Sequence, residues 1–182
     1  MAQNGVPFGE GNFVRDWLQI KGNVYKPSRE HPKRIIDGLK CTRSEVSGSR
    51  FWALFKSICK TPENFFKDCF VHNVCPLMFM KTSSKNVTPP QLKAEERKQL
   101  TAVCNNSFCK AIKLLNVKLI IGVGKFAADT AANALKNTNS SFECSKLYPQ
   151  LALAPHLHGY QPIASLSFAM SFLLFLFSAI FT

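Results

Sequence analysis

Acidic residues are scarce in this sequence, and toward its carboxyl end charge disappears altogether. Its 182 residues hold 11 Asp and Glu against 23 Lys and Arg, a formal charge of +12. No Asp, Glu, Lys or Arg follows Lys146. No two of the seven cysteines stand in CxxC spacing, which with their odd number points to free thiols and a reducing compartment. No apolar leader opens the chain; the polar, Gly-rich start MAQNGVPFGEGN predicts no secretory signal there. No internal repeat is present, and the length suits one domain rather than two.

What is there excludes the disordered and collagenous classes, since 46% of residues are hydrophobic and the aromatics are spread along the chain. The positive surplus predicts a polyanionic partner, nucleic acid or an acidic membrane surface, although some basic domains are simply basic. Cys69, His72 and Cys75 are spaced like metal ligands. In an extended segment Cys69 and Cys75 share a face while His72 points to the other, so no metal is expected.

Asn12 is expected to cap a short helix bearing Phe13, Val14, Trp17 and Leu18. Residues 22–41, basic and broken by proline, read as a surface loop. Phe51, Trp52, Leu54, Phe55 and Ile58 recur at helical spacing over 47–60. Thr61-Pro62 marks the next helix start, with Thr as cap and Pro at the first position. The apolar run 70–74, stopped by Pro76, predicts a strand buried on both faces. Thr88-Pro89-Pro90-Gln91 has capping-box spacing and is expected to open a long helix. Residues 117–123 predict a second buried strand, the Ala-rich stretch from Gly124 a further helix, and residues 142–148 a third, weaker strand. Strands alternating with helices predict an α/β domain with a parallel sheet, whose ligand would sit beyond the carboxyl ends of the strands.

Several candidates cluster at those ends. Gly122-Val-Gly124-Lys125 is no Walker loop, because Leu119 replaces its first glycine and Phe126 its Ser or Thr. It reads either as a tight turn presenting backbone N–H groups and Lys125 to a phosphate, or as a close strand-to-helix turn and nothing else. Asn73 carries an acceptor and two donors at the end of a buried strand, suited to the edge of a nucleobase or to an ordinary structural role. Phe8, in a Gly/Pro turn with little local core, reads as a stacking platform for a planar ligand or as packing under a loop. Ser83, Ser84, Lys85, Asn86 and Thr88 are phosphate-contact residue types and equally ordinary loop residues.

Taken in order, GVPFGE, VRDWL, EHPKR, SEVSGSRFW, FVHNVCPL, NVTP and LIIGVGK resemble the single-strand-selective monofunctional uracil-DNA glycosylases, from Met1 to about Lys136. The resemblance implies a uracil-DNA glycosylase-like α/β fold, a three-layer sandwich with a short parallel sheet, incomplete here with the first strand missing. It implies excision of uracil and oxidised uracils from single- and double-stranded DNA in base-excision repair, by base flipping and hydrolysis of the N-glycosidic bond. DNA is then the partner, no metal or cofactor is needed, the chain is a monomer, and the location is the nucleus. Phe8 would stack on the flipped uracil, Asn73 would read its O4 and N3–H edge, and residues 83–88 would follow the DNA backbone.

Two family motifs do not occur. GMNPGPFG, whose Asn positions the attacking water, would immediately precede Met1; where HPSPRNP supplies a His to the leaving base, this chain has Tyr148. His156 and His158 lie nearby without the surrounding motif. The expectation is a polypeptide with no catalytic residue of its own, marginally stable, with a gap or unpaired edge where the first strand would run. The domain assigned to 1–146 is then followed by an uncharged tail, 147–182. Its segment 163–182 is long enough to cross a bilayer, so it is either a carboxyl-terminal anchor or an apolar run of intronic or frame-shifted origin. A non-catalytic DNA-binding protein and a tail-anchored membrane protein remain as alternatives.

Overall fold

The computed structural model describes residues 3–136 and the backbone of 143–147 and 173–177. Four helices are present among them, α1 (Val46–Cys59), α2 (Pro62–Asp68), α3 (Ala94–Leu114) and α4 (Lys125–Leu135). The strands are β1 (Cys69–Asn73), β2 (Phe79–Met80), β3 (Asn86–Val87), β4 (Leu119–Val123), β5 (Glu143–Leu147) and β6 (Leu173–Phe177).

Local chemistry accounts for most of these limits. Thr61 Oγ1 accepts from Asn64 N–H at 3.2 Å and Pro62 opens α2. α1 is capped by the Glu45 carboxylate, which accepts from Gly48 N–H. Asn12 makes no such bond at the short turn Phe13–Trp17; there Glu10 accepts from Phe13 N–H at 2.9 Å, because a carboxylate three residues back reaches the free amide first. Thr88 and Gln91 do form the expected box, with Thr88 N–H donating to Gln91 Oε1 at 2.8 Å. It closes only a 3-10 turn, Pro89–Gln91, and α3 begins beyond it at Ala94.

The main sheet runs β1-β6-β4-β5, parallel throughout. β6 lies between β1 and β4, with Leu173 opposite both Cys69 and Leu119 and Phe177 opposite both Asn73 and Val123. The gap expected from the sequence is therefore filled, and by a strand from within the 163–182 segment. Among the described residues no helix is long and apolar enough to cross a membrane.

The buried residues form two clusters. Phe8, Trp17, Phe51, Trp52, Phe55 and Phe65 gather with Cys69, Val71, Ile121 and Val123. Phe108, Ile112, Val117, Ala127 and Ala131 gather with Val74 and Ile120. Successive side chains of a strand point to opposite faces, so α1 and α2 cover one side of the sheet and α3 and α4 the other. β1 departs from the expected burial on both faces: Phe70 is 37% exposed and His72 half-buried, while Cys69, Val71 and Asn73 are buried.

Candidate functional site

Asn73 and Gly122 to Lys125 stand at the carboxyl ends of neighbouring parts of the sheet, since β6 aligns the end of β1 with the end of β4. Asn73 ends β1 on its buried face, only 3% exposed. At β4, a side chain on Gly122 would place its Cβ 2.5 Å from the backbone N and Cα of Ala128, so a hydrogen at that position is what lets the first turn of α4 come down on the strand. Gly124 turns the chain at φ +93°, a conformation suited to glycine. Lys125 forms an ion pair with Asp129 one turn along α4. The geometry accounts for Gly122 by close packing.

Of the two settings expected for Phe8, the structure shows packing. Its ring is 1% exposed and lies parallel on Phe51, with centroids 4.1 Å apart and planes 9° from each other. The turn carrying it is held by groups that the local sequence pattern did not single out. Asn4 Oδ1 accepts from Val6 N–H at 3.1 Å and Asn4 Nδ2 donates to Gly9 O at 3.0 Å. Trp52 Nε1 donates to Phe8 O at 2.9 Å inside the core. Gly48 permits that approach, because a Cβ there would stand 2.5 Å from the same oxygen. Trp52→Phe keeps an aromatic ring but removes one of the two donors to the Phe8 carbonyl, which retains Glu10 N–H at 2.7 Å, a cost of about 0.5–1.5 kcal/mol. A lower melting temperature with little change in far-UV circular dichroism is the expected result; an unchanged melt would show that the turn is held otherwise.

The remaining candidates lie on a hairpin. β2 and β3 pair antiparallel, Met80 opposite Asn86, and Ser83 and Ser84 form the tip, where Ser84 N–H donates to Lys81 O at 2.8 Å and Ser84 takes φ +66°. Lys85 is exposed. Thr88 is committed to its cap, its hydroxyl 3.2 Å from Gln91 Oε1. Asn86 faces a different feature, a cavity of about 670 Å³ bounded by residues 27–45 and the start of α1, the amino-terminal turn and residues 76–80. Phe8 and Asn73 do not line that cavity. Met1, Tyr148, His156 and His158 lie outside the described residues.

His72 points away from Asn73, toward α3, its ring 6.0 Å from that of Phe108. Burial holds its pKa below the ordinary 6.5. The unfolded chain therefore binds a proton that the folded chain refuses, so stability is full above about pH 7 and falls as pH drops through the ordinary histidine range. His72→Phe is expected to flatten the decline in melting temperature over that window; equal slopes for the two proteins would contradict this role.

No protein-family model matches the chain. Among curated proteins it is 53% identical to the single-strand selective monofunctional uracil-DNA glycosylase of Rattus norvegicus over 135 residues, 74% of this chain and 49% of that protein. It is 52% identical to the Mus musculus enzyme of that name over 135 residues, 74% of this chain and 48% of the relative. The Bos taurus enzyme is 45% identical over 165 residues, 90% of this chain and 61% of the relative. The chain thus spans about half to three fifths of the length of these relatives.

Proposed function

We propose, from the premise that this chain is homologous to the single-strand selective monofunctional uracil-DNA glycosylases, that it serves uracil recognition in DNA for base-excision repair. The observation that carries the reading is Asn73, a buried carboxamide ending β1 at the sheet edge where α/β proteins hold ligands. Uracil offers an acceptor at O4 and a donor at N3, which an oriented amide matches; cytosine offers the reverse pattern and is refused. In this reading the sheet with helices on both faces is the three-layer core of a glycosylase. The base is flipped out of the strand before it is read, a step that is cheapest from single strands. Oxidised uracils enter the same site because they keep the O4 and N3 edge. Phe8 supports the site by packing on Phe51, and its ring meets a base only if the closed turn opens. The hairpin residues Ser83 to Thr88 run along the backbone of the bound DNA, and the work is nuclear.

Reading a base is separable from cutting it out. Cleavage needs a placed water and a stabilised leaving base, each worth factors of about a hundred or more. We infer that the 182-residue polypeptide binds uracil-containing DNA better than it cleaves it. The test is salt-dependent binding of single-stranded oligonucleotides carrying one uracil or one cytosine, with base release followed in parallel. Asn73→Leu, close to isosteric, should lower the uracil preference by about 1–3 kcal/mol, roughly 5- to 150-fold. An unchanged preference sinks the reading of Asn73; brisk base release by the unaltered polypeptide sinks the separation of binding from cleavage.

A further inference from the structure

The cavity between residues 27–45 and the hairpin has a chemistry that uracil recognition does not use. Its apolar lining comes from Ile36, Leu77, Met78 and Met80. Arg29, Arg34 and Arg43 also line it, and none of the three is ion-paired to a carboxylate among the described residues. The two glutamates of the lining are engaged elsewhere: Glu30 lies 3.4 Å from Lys26 Nζ, and Glu45 caps α1. One buried oxygen of a lining residue, Asn86 Oδ1, accepts no hydrogen bond.

Each feature asks for a different part of one ligand. Guanidinium groups match phosphate oxygens bidentately. A flat, weakly polar ring lies well against methionine and leucine. A buried acceptor without a donor favours a ligand that brings an N–H group, as adenine, cytosine and guanine do on their Watson–Crick edges. The volume of about 670 Å³ falls in the range of small-molecule sites, roughly 300–1,000 Å³.

We propose that this cavity binds one nucleotide, its phosphate on Arg29, Arg34 and Arg43 and a base N–H group on Asn86. Pro76 and Leu77, which follow Asn73 in the chain, are part of the lining, as are Gly5 and Gly9 on either side of Phe8. On a single strand, the nucleotide held here is therefore a neighbour of the one whose base is read by Asn73. That placement rests on the uracil reading; the nucleotide site itself does not.

The experiment compares the 182-residue chain with an Arg34→Ala/Arg43→Ala variant, both positions being at least partly exposed so that folding is spared. Equilibrium dialysis measures adenosine monophosphate binding. Fluorescence anisotropy at several salt concentrations measures binding of short oligonucleotides with and without uracil. The wild-type chain should bind the mononucleotide saturably and the variant should not. The variant should bind oligonucleotides about tenfold more weakly, its salt slope falling by about 0.7 for each phosphate no longer neutralised, with its preference for uracil over cytosine intact. Asn86→Leu, which leaves the arginines in place, should weaken binding without changing the slope. Equal affinities and slopes for wild type and double variant, with no mononucleotide binding, overturn the site. Mononucleotide binding that the double variant loses while oligonucleotide binding stays unchanged supports the site and overturns its place on the strand. Absence of uracil preference in the wild-type chain itself would sink the uracil reading and leave the cavity result standing.

Discussion

Phe175→Pro should abolish cooperative unfolding, or lower stability by about 3 kcal/mol or more out of a usual total of about 5–15. Position 175 is the middle of β6, paired in register with Val71 on one side and Ile121 on the other. Proline brings no N–H to the ladder, so a carbonyl in the middle of the sheet loses its donor, and interior strands seldom tolerate the residue. A sheet strand and a membrane anchor at residues 163–182 give opposite outcomes. A bilayer-crossing helix accommodates proline, and the melting of a domain outside the membrane would not notice it. A melting temperature within a degree or two of the parent would show that 173–177 is not a sheet strand in solution.

Gly122 should be the less replaceable of the two glycines in the β4–α4 turn. Gly122→Ala puts a Cβ 2.5 Å from backbone atoms of Ala128, and these cannot give way without lifting α4 from the sheet. Overpacking of this kind costs about 1–3 kcal/mol, and Gly122→Val more. Gly124→Ala meets nothing within 4 Å and suffers only the strain of its positive φ, about 1–2 kcal/mol. Urea unfolding of the three variants should rank Gly122→Val below Gly122→Ala, and both below Gly124→Ala. The reverse order would mean that turn conformation, not helix approach, is what glycine supplies here.

Legibility in the sequence followed the range of the interactions. β1 and β4 were readable because an apolar run ended by proline or glycine is a local signal, and α2 because Thr61-Pro62 is a local cap. The place of Asn73 at the buried end of β1 was readable for the same reason: a carboxamide closing an apolar run stands out. For Phe8 the sequence left packing and stacking open, since the partners that settle it, Phe51 and Trp52, come from a distant helix. Nothing in the local sequence singles out Asn4, whose side chain staples the turn. The cavity arginines sit in a loop with no periodicity, so nothing in their spacing announced that Arg29, Arg34 and Arg43 share one space. β6 was the least legible, because LLFLF has no polar alternation and its length and setting suit a membrane as well as a sheet interior.

The position of β6 also sets an order of assembly. The strand that joins β1 to β4 is the last of the described strands to be synthesised, and its pairing of Leu173 with Cys69 closes a very long stretch of chain. Until residue 177 has left the ribosome, β1 and β4 can fold their helices against them but cannot be bridged. Each then shows an open strand edge, apolar throughout in β4, the kind of surface that pairs with other chains. Such long-range parallel closure is slow. The interval between making β4 and making β6 is therefore when this protein is most exposed to aggregation, and when a chaperone holding that edge would raise its yield most.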